Sequence, residues 1–164
     1  MIHVYIGDGK GKTTSAIGLS VRALGRGLAV AVAQFLKSGV TGEVASLEKL
    51  GARVIRSELQ LGFTFQMNEE TKTLCRQEQA RILARLRAEK ADVMVLDEVI
   101  DALNAGMLDE AELRSFLETC ETEFVLTGRN PPAWLVEKAD YVSEIRKVKH
   151  PYDRGIRARV GIEK

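Results

Sequence analysis

Residues 7–14 read Gly7-Asp8-Gly9-Lys10-Gly11-Lys12-Thr13-Thr14, between an apolar run at 2–6 (IHVYI) and a segment with helical spacing. Glycines let the backbone curl until successive N–H groups point inward at an anion. The start of the following helix adds the positive end of its dipole. Lys12 can reach a terminal phosphate, and the Thr13 hydroxyl can complete the coordination of Mg²⁺. A strand, an anion-binding loop and a helix in that order predict nucleotide binding. The bland reading, a glycine-rich turn with solvated lysines, does not explain the order.

The usual spacing of such a phosphate-binding loop (P-loop) is G-x-x-x-x-G-K-[ST]. Here Ile6 stands where the first glycine would be, so the loop is G-x-x-x-G-K-T, one residue short. The anion nest survives this, but the standard placement of the phosphates no longer follows. No N-K-x-D run is present to read guanine, and Gly7 stands where a ParA-type loop has its signature lysine.

Outward from the loop, short apolar runs alternate with helical patterns. Ile17, Val21 and Leu24 recur at helical spacing until Gly25 and Gly27 stop them. Residues 28–33 (LAVAVA) read as a strand covered on both faces. A short helix is expected at 43–50, a strand at 53–56 and a loop at 57–67. Asn68 caps a helix to about residue 90, with Cys75, Ile82, Leu83 and Leu86 on one stripe. A strand at 92–96 precedes helices at 99–105 and 110–118, the second opened by Asp109 with Glu112 three residues later. The strand at 123–127 leads to a helix that Asn130 caps with Pro131 in its first turn, and a last strand spans roughly 140–148. This alternation predicts an α/β fold, a RecA-like P-loop domain with a mostly parallel central sheet flanked by helices, spanning 1–164 as one domain. Ligands in such sheets bind at the carboxyl ends of the strands, which directs attention to the loops after 6, 36, 97 and 127.

Composition narrows the partners. The chain has 164 residues, 45% hydrophobic and 29% charged, which excludes disordered, collagenous and coiled-coil classes. Its 24 basic and 23 acidic residues give a net charge of +1, against a non-specific nucleic-acid binder. No stretch is long and apolar enough for a membrane span. With no signal peptide ahead of Cys75 and Cys120, reduced thiols and a cytoplasmic location are expected.

The second half of a P-loop site is an acidic residue ending another buried strand, and Val95-Leu96-Asp97-Glu98 supplies it. Either carboxylate can hold Mg²⁺ directly or through water, and sequence does not choose between them; the plainer role for Asp97 is to cap the next helix.

Several segments together carry a family resemblance. GDGKGKTT at 7–14 is followed by QFLKSG at 34–39, GFTF at 62–65, VLDEV at 95–99, LTGRNPP at 126–132 and VKHPYDRGIRARVGIE at 148–163. In this order the chain resembles the ATP:corrinoid adenosyltransferases of the CobA/CobO type. The resemblance implies transfer of the 5′-deoxyadenosyl group of ATP to the cobalt of a reduced corrinoid, with release of triphosphate. It also implies a nucleotide held in a reversed sense relative to ordinary P-loop ATPases, which agrees with the shortened loop. The nucleophile is Co(I), so no side-chain nucleophile is required, and the sequence offers no Ser-His-Asp set.

By the same resemblance, Gly7 to Thr14 hold the nucleotide and Mg²⁺ lies near Thr13 and Glu98, with Asp97 kept as the other candidate ligand from its place at the strand end; Arg129, whose guanidinium fork suits phosphate oxygens, is expected as a further phosphate contact. Phe63 and Phe65 correspond to two aromatics pressed under the corrin ring, Phe65 replacing the usual Trp. Alternating phenylalanines otherwise read as core. Lys149 and His150 are implied near the nucleotide or corrinoid, although a basic tail by itself reads as a solvated edge. His3, in the first strand, is expected to be structural. The resemblance further implies a homodimer and an external electron donor. Some family members carry an extension before the first strand, where this chain begins. The competing readings are a P-loop kinase or ATPase with another acceptor, and an ATP-dependent binding module.

Overall fold

A computed structural model of the chain describes residues 1–37, 39, 41–60, 62 and 64–163, and of Phe65 the backbone alone. Six strands, β1 (Ile2–Ile6), β2 (Val30–Gln34), β3 (Arg53–Arg56), β4 (Val93–Asp97), β5 (Glu123–Thr127) and β6 (Tyr141–Glu144), form one sheet in the order β3-β2-β4-β5-β1-β6. Every neighbouring pair is parallel. The α/β class and the flanking helices are as expected, and the order is consistent with a RecA-like P-loop domain.

Strand residues alternate between two cores, because successive side chains point to opposite faces. Ala31, Ala33, Met94, Leu96, Phe124 and Leu126 face one core, where Leu83 and Leu86 of α3 (Glu69–Ala88) and Leu113 and Phe116 of α5 (Glu110–Thr119) pack. Val30, Val32, Val93, Val95 and Val125 face the other, beneath α1 (Lys12–Leu24) and α2 (Gly42–Lys49). The continuous apolar strands are therefore buried on both sides.

Two expected helix starts are realised by their caps. Asn68 Oδ1 accepts from the Thr71 N–H at 2.8 Å, and Asp109 Oδ1 accepts from the Glu112 N–H at 3.0 Å. Three expectations need correction. In α1 the buried residues are Ala16, Ser20 and Ala23, whereas Val21 is 44% exposed. Small side chains let this helix lie close over β4 and β5, and the larger ones fall to its flanks. Pro132, not Asn130, is the residue before α6 (Ala133–Lys138); Asn130 sits at φ 48° and its carbonyl accepts from Asn104 Nδ2. Finally, β6 stops at Glu144, because Ile145 and the residues after it turn onto the phosphate-binding loop. Short α4 (Val99–Asn104) completes the set.

The correction in α1 is testable by urea unfolding. Ala16→Leu overpacks the helix–sheet contact and should cost about 1–3 kcal/mol. Val21→Ala should stay within about 0.5 kcal/mol of the parent.

Candidate functional site

At the carboxyl end of the sheet lies a cavity of about 1070 Å³, lined by Asp8 to Thr14, Glu98, Arg129 and the tail from His150 onward. Gly7 and Gly11 take φ of 111° and 130°, a region that L side chains rarely adopt. Gly7 and Gly9 also have no room for a side chain: an added Cβ would lie 2.3 Å and 2.8 Å from the Ile145 carbonyl oxygen. Ile145 N–H donates to the Ile6 carbonyl and its carbonyl accepts from Gly9 N–H, each at 2.8 Å. Asp8 Oδ1 accepts from Lys147 N–H at 3.0 Å, and this bond draws the Asp8 carboxyl below its ordinary value. The loop is thus braced from behind by the strand-to-tail turn.

Helix α1 begins without a side-chain cap and without an acidic residue in its first turn. The Ser15 N–H to Gly11 carbonyl bond (2.8 Å) starts its ladder, so the amides of Lys12, Thr13 and Thr14 form an open positive helix end. Lys12 Nζ donates to the Gly7 and Gly9 carbonyls at 2.7 and 2.9 Å. Burial and the nearby Arg129 guanidinium lower its pKa. Both effects favour an anionic ligand that would relieve them.

The acidic pair stands beside this loop. Asp97 is fully buried, and its Oδ1 accepts from Thr13 Oγ1 at 2.8 Å and Thr127 Oγ1 at 2.7 Å. Its Oδ2 accepts from Lys37 Nζ at 2.6 Å. Asp97 therefore ends a strand rather than capping α4. Glu98 precedes α4 in a left-handed conformation, φ 61°, with its N–H bonded to Thr127 Oγ1 at 2.9 Å. Its carboxyl lines the cavity, and burial raises its pKa against the pull of Lys37. Burial opposes the Lys37 ammonium too, but Asp97 and Glu98 outweigh it and its pKa is raised. Asp101 is likewise raised by burial, with Arg129 opposing.

Lys12, Thr13, Glu98 and Arg129, separated in sequence, thus meet at one cavity, with the buried Asp97 bonded to Thr13 behind its wall. His150 lines it as well, its Nδ1 accepting from Tyr152 N–H at 3.1 Å. Lys149 is exposed and absent from the cavity wall. Phe63 and the side chain of Phe65 lie outside the described residues. His3 is structural as expected, bonded through Nε2 to Glu123 at 2.6 Å and stacked on Tyr141. Sequence reading assigned no role to Lys37, Thr127 or Asp101. The signals for them were indirect: Lys37 follows residue 36 within QFLKSG, Thr127 ends β5 within LTGRNPP, and Asp101 lies in the first turn of α4, just after the acidic pair.

Thr127→Val removes one donor to the buried Asp97 and the acceptor for Glu98 N–H. It should destabilise the protein by about 1–3 kcal/mol in chemical denaturation.

The chain as a whole is similar to known proteins. The family model described as ATP:corrinoid adenosyltransferase BtuR/CobO/CobP matches residues 1–163. A corrinoid adenosyltransferase of Sinorhizobium sp. is 36% identical over 99% of this chain and 79% of its own length. Corrinoid adenosyltransferases of Pseudomonas aeruginosa and Escherichia coli are each 34% identical over 99% of this chain, covering 83% and 85% of their own lengths.

Proposed function

The chain belongs to the ATP:corrinoid adenosyltransferase BtuR/CobO/CobP family, a family of transferases, and we propose that it moves the 5′-deoxyadenosyl group of ATP onto the Co(I) of a reduced corrinoid and releases triphosphate. The observation that carries this reading is the pairing of an uncapped α1 terminus, Lys12 and Arg129 on one cavity with no side-chain nucleophile called for.

In the transfer, the Co(I) electron pair forms the bond to ribose C5′ while the C5′–O bond breaks and its electrons pass to the triphosphate. No proton has to move. The protein's tasks are to hold C5′ in line with cobalt and to neutralise charge growing on the leaving oxygens. The open amides of α1, Lys12 and Arg129 perform the second task. Lys12 exchanges its bonds to the Gly7 and Gly9 carbonyls for bonds to phosphate. A large cavity walled partly by the tail leaves room for a ring system beside the nucleotide.

The residues fit Mg²⁺. A hydroxyl and two carboxylates are hard oxygen donors of the kind it prefers, and Mg²⁺ bound with a nucleotide needs only one or two carboxylates besides phosphate. Among the described residues no group of three His, Cys, Asp or Glu forms a cage. Glu98, which lines the cavity, is the carboxylate that faces the ligand. Asp97, behind it, orients the Thr13 hydroxyl. Bound there, Mg²⁺ supplies neutralising charge to the phosphates.

The proposal includes an external electron donor, because the nucleophile is Co(I), and a homodimer by family membership. It also gives Phe63 and Phe65 the lower face of the corrin and His150 the cavity wall; Lys149 is exposed and outside that wall. Among the described residues no helix is long and apolar enough to cross a membrane.

Anaerobic incubation with Mg-ATP and reduced cobalamin tests the reading. A light-sensitive cobalt–carbon product with triphosphate is expected; ADP formed without corrinoid would mean an ATPase or kinase, and unchanged ATP a static binder. Lys12→Ala should lower kcat/KM by about 100-fold or more. Phe63→Ala should reduce transfer that starts from Co(II) more than transfer to chemically supplied Co(I); equal losses would remove its lower-face role.

A further inference from the structure

Lys37 stands where the cation of the proposed site would stand. Its Nζ is 2.6 Å from Asp97 Oδ2, 3.5 Å from Glu98 Oε1 and 3.4 Å from Thr13 Oγ1. Those three residues are the oxygen donors on which the cation reading rests, and the ammonium already sits among them. Asp97 is wholly buried, and a carboxylate so placed without a countercharge would cost several kcal/mol. Thr13 and Thr127 donate to Oδ1, but Lys37 is the only cation within salt-bridge distance among the described residues.

The local backbone is held while the side chain has an exit. Phe35 N–H donates to the Asp97 carbonyl at 2.9 Å, and Leu36 N–H donates to Gln79 Oε1 at 3.0 Å. Leu36 takes a left-handed φ of 56°, which turns the chain toward the site. Beyond this anchor, the lysine stem is flexible, retains 19% exposure and lines the large cavity. An ammonium and a divalent cation cannot share one set of oxygens, since both are positive and both need the same lone pairs.

We propose that Lys37 is the resident counter-ion of the nucleotide-free site, and that Mg²⁺–ATP displaces it from Asp97 and Glu98 into the cavity, where the triphosphate becomes its partner. Lys37 is thus a positioning residue that keeps Asp97 compensated before loading, a role that passes to Mg²⁺ when the ammonium moves to the triphosphate. It also makes cation binding depend on nucleotide. A free cation gains only the protein oxygens and leaves Lys37 without an anion, whereas Mg²⁺–ATP brings phosphate for both. The inference rests on the adenosyltransferase reading for the identity of the nucleotide, but its first test needs none.

Mn²⁺ is titrated into nucleotide-free protein and free Mn²⁺ is followed by electron paramagnetic resonance. Lys37→Met should bind one Mn²⁺ at least about tenfold more tightly than the parent, since a competing cation has been removed from its ligands. Adding Asp97→Asn to Lys37→Met should abolish the gain. Equal Mn²⁺ affinity in the parent and Lys37→Met would overturn the proposal. Should Lys37→Met not fold, the parent decides: with ¹³C-labelled lysine, the Lys37 Cε resonance should shift with Mg²⁺–ATP and remain in place with Mg²⁺ alone. A Lys37 signal that stays fixed while equilibrium dialysis shows ATP bound would overturn it. Absence of ATP binding in the same samples would overturn the adenosyltransferase reading and the displacement step together, whereas ATP bound with Lys37 unmoved overturns the displacement alone.

Discussion

The buried carboxylate of Asp97 is the constraint around which the site is arranged. A charge removed from water at the end of β4 is tolerated only with strong partners, and each partner comes from a different part of the fold. Thr13 brings the start of α1, Thr127 the end of β5, and Lys37 the turn after β2. Satisfying one carboxylate therefore holds three loops at the carboxyl edge of the sheet. Thr127 extends the arrangement by accepting from the Glu98 N–H, which helps hold that residue in its left-handed conformation and its carboxyl at the cavity. The same bonds that stabilise the fold bring together the groups suited to a nucleotide and its cation.

The phosphate-binding loop depends on a second long-range contact. Gly7 and Gly9 lie flat against Ile145, where any side chain would collide with backbone. Gly9 commits its N–H to the Ile145 carbonyl, so that amide is not among the donors left for an anion. Beyond Ile145 the tail forms a wall of the cavity, and Arg159 bonds Glu163 through both its guanidinium and its backbone N–H, holding the Glu163 carboxyl down at about 2. Arg159 is exposed while Glu163 lines the cavity, so the pair shapes the tail's inner wall.

Elements with a chemical boundary were legible in the sequence. Strands at 2–6, 53–56 and 123–127 fall where expected, and Asn68 and Asp109 cap the helices they precede, because a cap is a contact between residues three apart. The stripe of Cys75, Ile82, Leu83 and Leu86 is buried for the same local reason. The buried face of α1 was not legible: hydrophobicity favours Ile17, Val21 and Leu24, but close approach to the sheet selects Ala16, Ser20 and Ala23. Asn130 and Pro131 carry the signs of a helix start, yet Asn104 binds the Arg129 and Asn130 carbonyls and the helix begins two residues beyond Pro131.

By itself the sequence determined the α/β alternation, the glycine-lysine-threonine loop and the acidic pair at a strand end, since each is written in contiguous residues whose chemistry is local. Only the tertiary structure decided that Lys37 would rest among the oxygens of Thr13, Asp97 and Glu98, and that Asp97 would lie behind while Glu98 faces the cavity. It alone put Ile145 behind the loop glycines. Lys37 and Asp97 are 60 residues apart, Thr13 and Asp97 are 84 apart, and no period or motif joins them. Parallel pairing of β2, β4, β5 and β1 brings their carboxyl ends to one edge, and the cost of leaving a buried charge unpaired selects the neighbours that meet it there.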